Sequence, residues 1–222
     1  PRLQRPGAAD QKQGITHNWT IPSSQRKTTN TRINMNLITK LKTADLAQVA
    51  KFASTDSTIR RELNGIRFIA ENGKPLVLVA TDGKRIAEVT IKASKCESDF
   101  TAALPASAIP AICSDEDSEP IVSELDNCFL LEFHGCQIKV TPEPDKFPEY
   151  ARIFPAPMPD KFAGAESWRG NHAFIADCSA LLNHWDGLAA CRLVTFGASD
   201  ALFFLSDTPK VSIRMALMPM RA

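Results

Sequence analysis

No run of apolar residues in this chain of 222 residues reaches the roughly 18 to 20 that a helix needs to span a bilayer. The most apolar stretch, Ala201 to Met220, is broken by Asp207, Pro209, Lys210 and Arg214. Residues 1–33 hold no apolar core of the signal-peptide kind, so the expectation is a cytoplasmic protein with no membrane partner. The six cysteines (Cys96, Cys113, Cys128, Cys136, Cys178 and Cys191) form no CxxC pair and share no metal-ligand spacing with histidine. They are expected to be reduced and mostly buried as small hydrophobes, with no metal and no cofactor. Enzymatic signatures are missing too: there is no Walker loop, no GxSxG and no HExxH. The four histidines (His17, His134, His172 and His184) are scattered, and the carboxylates Asp82 and Glu149 sit in turn segments. The expectation is a binding protein, not an enzyme.

What is present is ordinary in bulk and uneven in distribution. Hydrophobic residues make up 44% and charged residues 23%, as in a soluble globular domain with a sizeable core. The formal net charge of +1 hides an asymmetry. Residues 1–34 hold six Lys and Arg against Asp10 alone. Residues 35–155 hold 14 basic and 18 acidic side chains, and residues 156–222 hold six of each. The body is therefore mildly acidic, which argues against a body coated with positive charge but not against a local basic surface. Residues 1–33 are rich in Gln, Thr, Asn, Ser and Arg without apolar periodicity, and are expected to form a disordered basic arm.

From Ile33 onward one pattern recurs three times. The first unit reads as a strand over Asn34–Thr39, a helix capped by Thr43 or Asp45, and strands over Gly65–Ala70, Leu76–Ala80 and Arg85–Ile91. Asn72-Gly73 and Asp82-Gly83 supply the tight turns, because such turns need positive φ. The second unit reads as a strand over Asp99–Leu104, a short helix over Pro105–Cys113, and strands over Ile121–Leu125, Phe129–Phe133 and Cys136–Thr141. A Pro-rich stretch from Pro142 to Pro159 follows. The third unit reads as a strand over His172–Ala176, a helix over Cys178–Leu188, and strands over Arg192–Phe196, Ala201–Ser206 and Val211–Leu217. The expected fold class is α+β, with helices on one side of antiparallel sheets.

Four segments stand in order along these repeats: Leu63-Asn64-Gly65, Thr81-Asp82-Gly83-Lys84-Arg85, Phe147-Pro148-Glu149-Tyr150-Ala151-Arg152 and Met218-Pro219-Met220-Arg221. Together they resemble, in the same order, motifs of the bacterial DNA sliding clamp, the beta subunit of DNA polymerase III. The resemblance covers roughly residues 34 to 222, with no counterpart of the family's first domain. Beyond the disordered arm read from composition at 1–33, it implies a clamp-like domain at 34–155, a connector at 156–170 and half a clamp domain at 171–222.

The resemblance further implies a site for short peptides of DNA polymerases and the clamp loader. Carried over, its residues are Leu63, Thr81, Gly83, Arg85, Ile86, Pro148, Arg152, Ile153, Met218, Pro219, Met220 and Arg221. Leu, Ile, Met and Pro would form a greasy groove, with Arg at the rim for a polar or carboxylate group. The same residues also read as plain hairpin and core positions. Lys84 replaces the family's His, and Ala176 and Ser179 stand where the family tends to offer Asn and Tyr.

For duplex DNA, held through phosphates without base reading, the candidates are Arg60, Arg61, Lys40, Lys42 and Lys51. A solvated basic face explains them equally well. The acidic run Ser114–Glu119 is expected in a loop on the outside. The functional expectation is a processivity factor that binds clamp-interacting peptides and, as a homo-oligomer, encircles duplex DNA. The alternative is a clamp-derived module or competitor that binds replication partners without encircling DNA.

Overall fold

The computed structural model describes residues 41–55, 61–109, 121–125, 128–133, 136–140, 147–154, 168–186, 191–197 and 199–220. All of them lie in one compact unit, Arg32–Ala222. The arm at 1–33, the strand at 34–39, the acidic run at 114–119 and most of the connector fall outside the described residues.

Helix α1 (Thr43–Ala50) begins at Lys42, whose backbone N–H donates to Asp45 Oδ2 at 2.9 Å. Asp45 thus caps the helix from its third position, as the acidic partner of a capping box does. Leu46 and Val49, one turn apart, are fully buried, and Phe52 and Ala53 continue the buried stripe past the helix end. A meander follows: β1 (Gly65–Ala70), β2 (Leu76–Thr81) and β3 (Arg85–Ile91). Gly73 and Gly83, in the two connecting turns, have φ of 74° and 84°, where a side chain would be strained. Strand β4 (Phe100–Pro105) pairs antiparallel with β1, so closely that a Cβ on Gly65 would stand 2.5 Å from the Leu104 carbonyl oxygen. Of the helix expected at Pro105–Cys113, the structure describes a 3-10 turn at Ala106–Ala108 and Ile109 beyond it.

Strands β5 (Ile121–Leu125), β6 (Cys128–Phe133) and β7 (Cys136–Val140) form a separate three-stranded antiparallel sheet. Helix α2 (His172–Asp186) then leads into β8 (Arg192–Val194), β9 (Leu202–Asp207) and β10 (Val211–Leu217). Here one expectation is overturned: His172–Ala176 is the first part of α2, not a strand. The Asn171 side chain accepts the Ala173 N–H at 2.9 Å, and its carbonyl accepts the Ile175 N–H, so the helix starts there. Phe174, Ile175, Cys178, Leu181, Leu182 and Trp185 then fall on one stripe facing the core.

The larger sheet has the order β4-β1-β2-β3-β10-β9-β8. Its joint is β3 with β10, antiparallel from Arg85↔Leu217 to Ile91↔Val211. Strands of the first and third repeats thus share one sheet. Alternation sorts the side chains. Ile66, Leu78, Val89, Ile213 and Phe204 face α1 and α2 in the main core, which Leu131 and Val140 of the small sheet also enter. Val79, Ile86, Ala216 and Phe203 face the other way and form a second cluster. The segment 147–154 lies over that second face, with Phe147, Tyr150, Ile153 and Phe154 packed on it. Each fully buried aliphatic or aromatic side chain of this kind contributes about 1.5–3 kcal/mol.

Candidate functional site

The site lies where the end of the meander, the sheet joint and the 147–154 segment meet. Its floor is Ile86 of β3 beside Ala216 of β10, paired neighbours in the ladder, with Thr81 of β2 opposite Ile86. The lining is completed by buried Leu63, by Pro148, Tyr150 and Ile153 of the 147–154 segment, and by Gly83, Lys84 and Met218, whose exposure puts them at the mouth. The Met218 backbone N–H donates to the Lys84 carbonyl at 2.9 Å, which ties Met218 to the β2–β3 turn. The groove has a volume of about 160 Å³. That is small beside the roughly 300–1,000 Å³ of pockets that enclose drug-sized ligands, and suits one or two side chains of a longer partner.

Of the residues expected from the sequence, Leu63, Thr81, Gly83, Arg85, Ile86, Pro148, Ile153 and Met218 line this groove together. Arg152 does not; it is exposed and pairs with Glu149 at 2.6 Å. Met220 is exposed and its N–H is bonded to the Arg169 carbonyl at 2.9 Å, and neither it nor Pro219 lines the groove. Arg221 falls outside the described residues. Lys84, noted in the sequence where the family has His, lines the groove, and two lining residues were not anticipated: Tyr150 and Ala216. Tyr150 lay within a quoted segment, and its half-burial raises its phenol above the ordinary range by desolvation, chiefly, and by the charge of Glu88. Ala176 and Ser179 are exposed on α2 and do not line the groove.

The polar groups of the groove are mostly spoken for. Thr81 Oγ1 donates to the Arg85 carbonyl at 2.7 Å and accepts the Gly83 N–H at 3.1 Å. Asp82 Oδ1 accepts the backbone N–H groups of Lys84 and Arg85 at 2.8 and 3.0 Å. Arg85 is not the free rim cation expected of it. Its Nε donates to Asp82 Oδ2 at 3.0 Å, one terminal nitrogen pairs with Asp177 of α2, and the other donates to the Lys51 carbonyl at 2.6 Å. Its guanidinium lies over the rings of Phe174 and Phe52, at 4.3 and 5.1 Å from their centroids. Arg85 is a tie between the turn, the end of α1 and α2, with a side chain only 10% exposed.

Of the cations proposed for DNA, the structure describes the side chains of Lys42 and Lys51. Lys42 and Lys51 are both exposed and flank α1 at its two ends. Along the axis that is about 13 Å. Lys51 donates to Gln48 Oε1 at 2.7 Å. Only the backbone of Arg61 is described, at the start of the 3-10 turn Arg61–Leu63, and Lys40 and Arg60 fall outside the described residues. Among the described residues, no group of three or more His, Cys, Asp or Glu could hold a metal ion, and no helix is long and apolar enough to cross a membrane.

No protein-family model matches the chain, and no curated protein matches it in sequence. Solved structures do match. The DNA polymerase III subunit beta of Pseudomonas aeruginosa superposes with a TM-score of 0.61 at 16% identity, over 85% of this chain and 68% of that one. The subunit of Borrelia burgdorferi, in complex with a natural product, gives 0.62 at 14% identity over 83% and 63%. The sliding clamp of Bartonella birtlesii, bound to griselimycin, gives 0.60 at 17% over 84% and 66%. The chain thus has the α+β fold of the bacterial sliding clamp and spans about two thirds of the length of these proteins.

Proposed function

We propose that this protein is a shortened, non-catalytic relative of the sliding clamp whose groove binds short linear peptides of DNA polymerases and the clamp loader. The observation that carries this reading is convergence. Leu63, Ile86, Ile153 and Met218 come from four segments spread over the chain, and they line one apolar groove on a clamp-type fold. Methionine at the mouth suits a groove that accepts several sequences, since its unbranched thioether repacks easily. The β3–β10 pairing, with Ile86 and Ala216 in the lining, is consistent with a proposed division into a clamp-like domain at 34–155 and a half domain at 171–222.

Retention on duplex DNA by an oligomer of this chain is the fuller form of the same function. Loose, nonspecific contact with phosphates is all a sliding protein needs. A labelled polymerase-type clamp-binding peptide titrated with the full chain tests the core of the proposal. Saturable binding at micromolar concentration is expected, and no binding even at millimolar concentration would refute it.

A further inference from the structure

Resting on the peptide-groove reading, we infer that Met218 is a reversible oxidation switch: peroxide converts its thioether to the sulfoxide, and the groove then lets its peptide go. Three methionines stand within six residues, Met215, Met218 and Met220, and the fold gives each a different setting. Met215 on β10 is fully buried in the main core, where peroxide does not reach its sulfur. Met220 is 60% exposed but does not line the groove. Met218 is 48% exposed and lines it together with Leu63, Ile86 and Ile153. It is thus both open to an oxidant and placed where a peptide would lie. Its backbone N–H donates to the Lys84 carbonyl at 2.9 Å. That tie runs through the main chain, so an altered side chain stays at the mouth.

The step needs only hydrogen peroxide. A sulfur lone pair attacks one peroxide oxygen, the O–O bond breaks and an S–O bond forms. The departing hydroxide takes the proton from the transferred oxygen and leaves as water. Sulfur is oxidised by two electrons and peroxide is reduced by two. A flexible apolar contact has become a polar, chiral one, and sulfoxide reductases reverse the change. Leu63, Ile86 and Ile153, which share the lining, offer the new oxygen no hydrogen bond. A peptide that covers the mouth must strip water from the sulfoxide, and burying a polar atom in this way is unfavourable.

The full chain is treated with dilute hydrogen peroxide, cleared of it with catalase, and titrated with a labelled, methionine-free clamp-binding peptide. Mass mapping should show Met218 and Met220 oxidised and Met215 intact. Affinity should fall about tenfold, the order expected for a polar atom buried without a partner. Methionine sulfoxide reductase should restore it. The ratio of untreated to treated affinity should be near one in Met218→Leu, whatever that variant's own affinity, and should stay near the parent's in Met220→Leu. Should Met218→Leu bind too weakly to titrate, the parent's loss must follow the Met218 sulfoxide fraction across partial oxidations. Met218 left reduced, affinity unchanged with Met218 oxidised, or a loss independent of that fraction overturns the inference. Recovery with dithiothreitol alone also overturns it, and assigns the effect to cysteine. Each of these leaves the groove reading intact, whereas an untreated chain that binds no peptide overturns both.

Discussion

Glu88 of β3 and Arg214 of β10 face each other across the sheet joint and are bonded twice, Arg214 Nε to Oε1 and Nη2 to Oε2, each at 2.7 Å. Phe154 covers the pair, its ring centroid 4.7 Å from the guanidinium carbon. A carboxylate that is 8% exposed is held here by a two-pronged partner, the arrangement that compensates best for lost hydration. Replacing Arg214 by Met strands Glu88 in the interior. Fully buried pairs lose about 3–5 kcal/mol on such a change, but Arg214 is 41% exposed and water reaches it, so about 2 kcal/mol is expected. Urea denaturation measures it, and Glu88→Gln with Arg214→Met together should recover part of the loss.

Arg85 lines the groove, but its guanidinium is tied to Asp82, Asp177 and the Lys51 carbonyl, so the role expected of it is to support the groove. Substitution by Lys keeps the charge but cannot reach Asp82, Asp177 and the Lys51 carbonyl together, nor stack between Phe52 and Phe174. Arg85→Lys should lower stability by about 1–2 kcal/mol and weaken peptide binding along with it. A variant with unchanged melting temperature and selectively lost peptide affinity would assign Arg85 a direct contact instead.

Much of the local structure was legible. Asn72-Gly73 and Asp82-Gly83 announced the two turns, since glycine was needed at positive φ in both, and alternation in Arg85–Ile91 and Val211–Leu217 announced those strands. His172–Ala176 misled because Phe174 and Ile175 favour strands in a five-residue window; the helical stripe shows only when the window extends to Trp185. Long-range relations were not legible. That β3 pairs with β10, some 125 residues away, depends on tertiary packing and leaves no local mark. The same distance hid the fate of Arg85, whose partner Asp177 and ring Phe174 lie about 90 residues on. Lys84 was noticed as a departure from a motif on the rim, but Tyr150 and Ala216 beside it in the lining follow from the 147–154 segment folding over the sheet.

Cysteine chemistry should divide by burial. Cys178 is fully buried on α2, and desolvation pushes its thiol up to about 12. Cys191 is half-buried. Iodoacetamide at neutral to mildly alkaline pH should therefore modify Cys191 well before Cys178 in peptide maps, and equal rates would contradict the buried placement. The stability sign follows. A thiol whose folded pKa is raised above the ordinary 9.0 supports folding fully below pH 9 and loses that support as pH rises toward 12. Cys178→Ala should flatten this alkaline fall.

Association is open to a direct mass measurement. Strand β8 is a three-residue edge of the large sheet, and Leu193 upon it is 44% exposed. An apolar edge of this kind favours self-pairing. Light scattering at tens of micromolar should show a homo-oligomer, and retention on nicked circular DNA that is lost on linearisation is expected if the oligomer closes. A monomer that ignores the circle would leave peptide binding as the function and favour a competitor of clamp partners.

The most direct test of the groove is photo-crosslinking of a clamp-binding peptide that carries a diazirine in place of one apolar side chain, followed by mass mapping on the full chain. Adducts on Met218, Ile153 and Leu63, lost when unlabelled peptide competes, are the predicted result. Adducts spread over other surfaces, or confined to α2 or to the β5–β7 sheet, would contradict a peptide site at the β3–β10 joint.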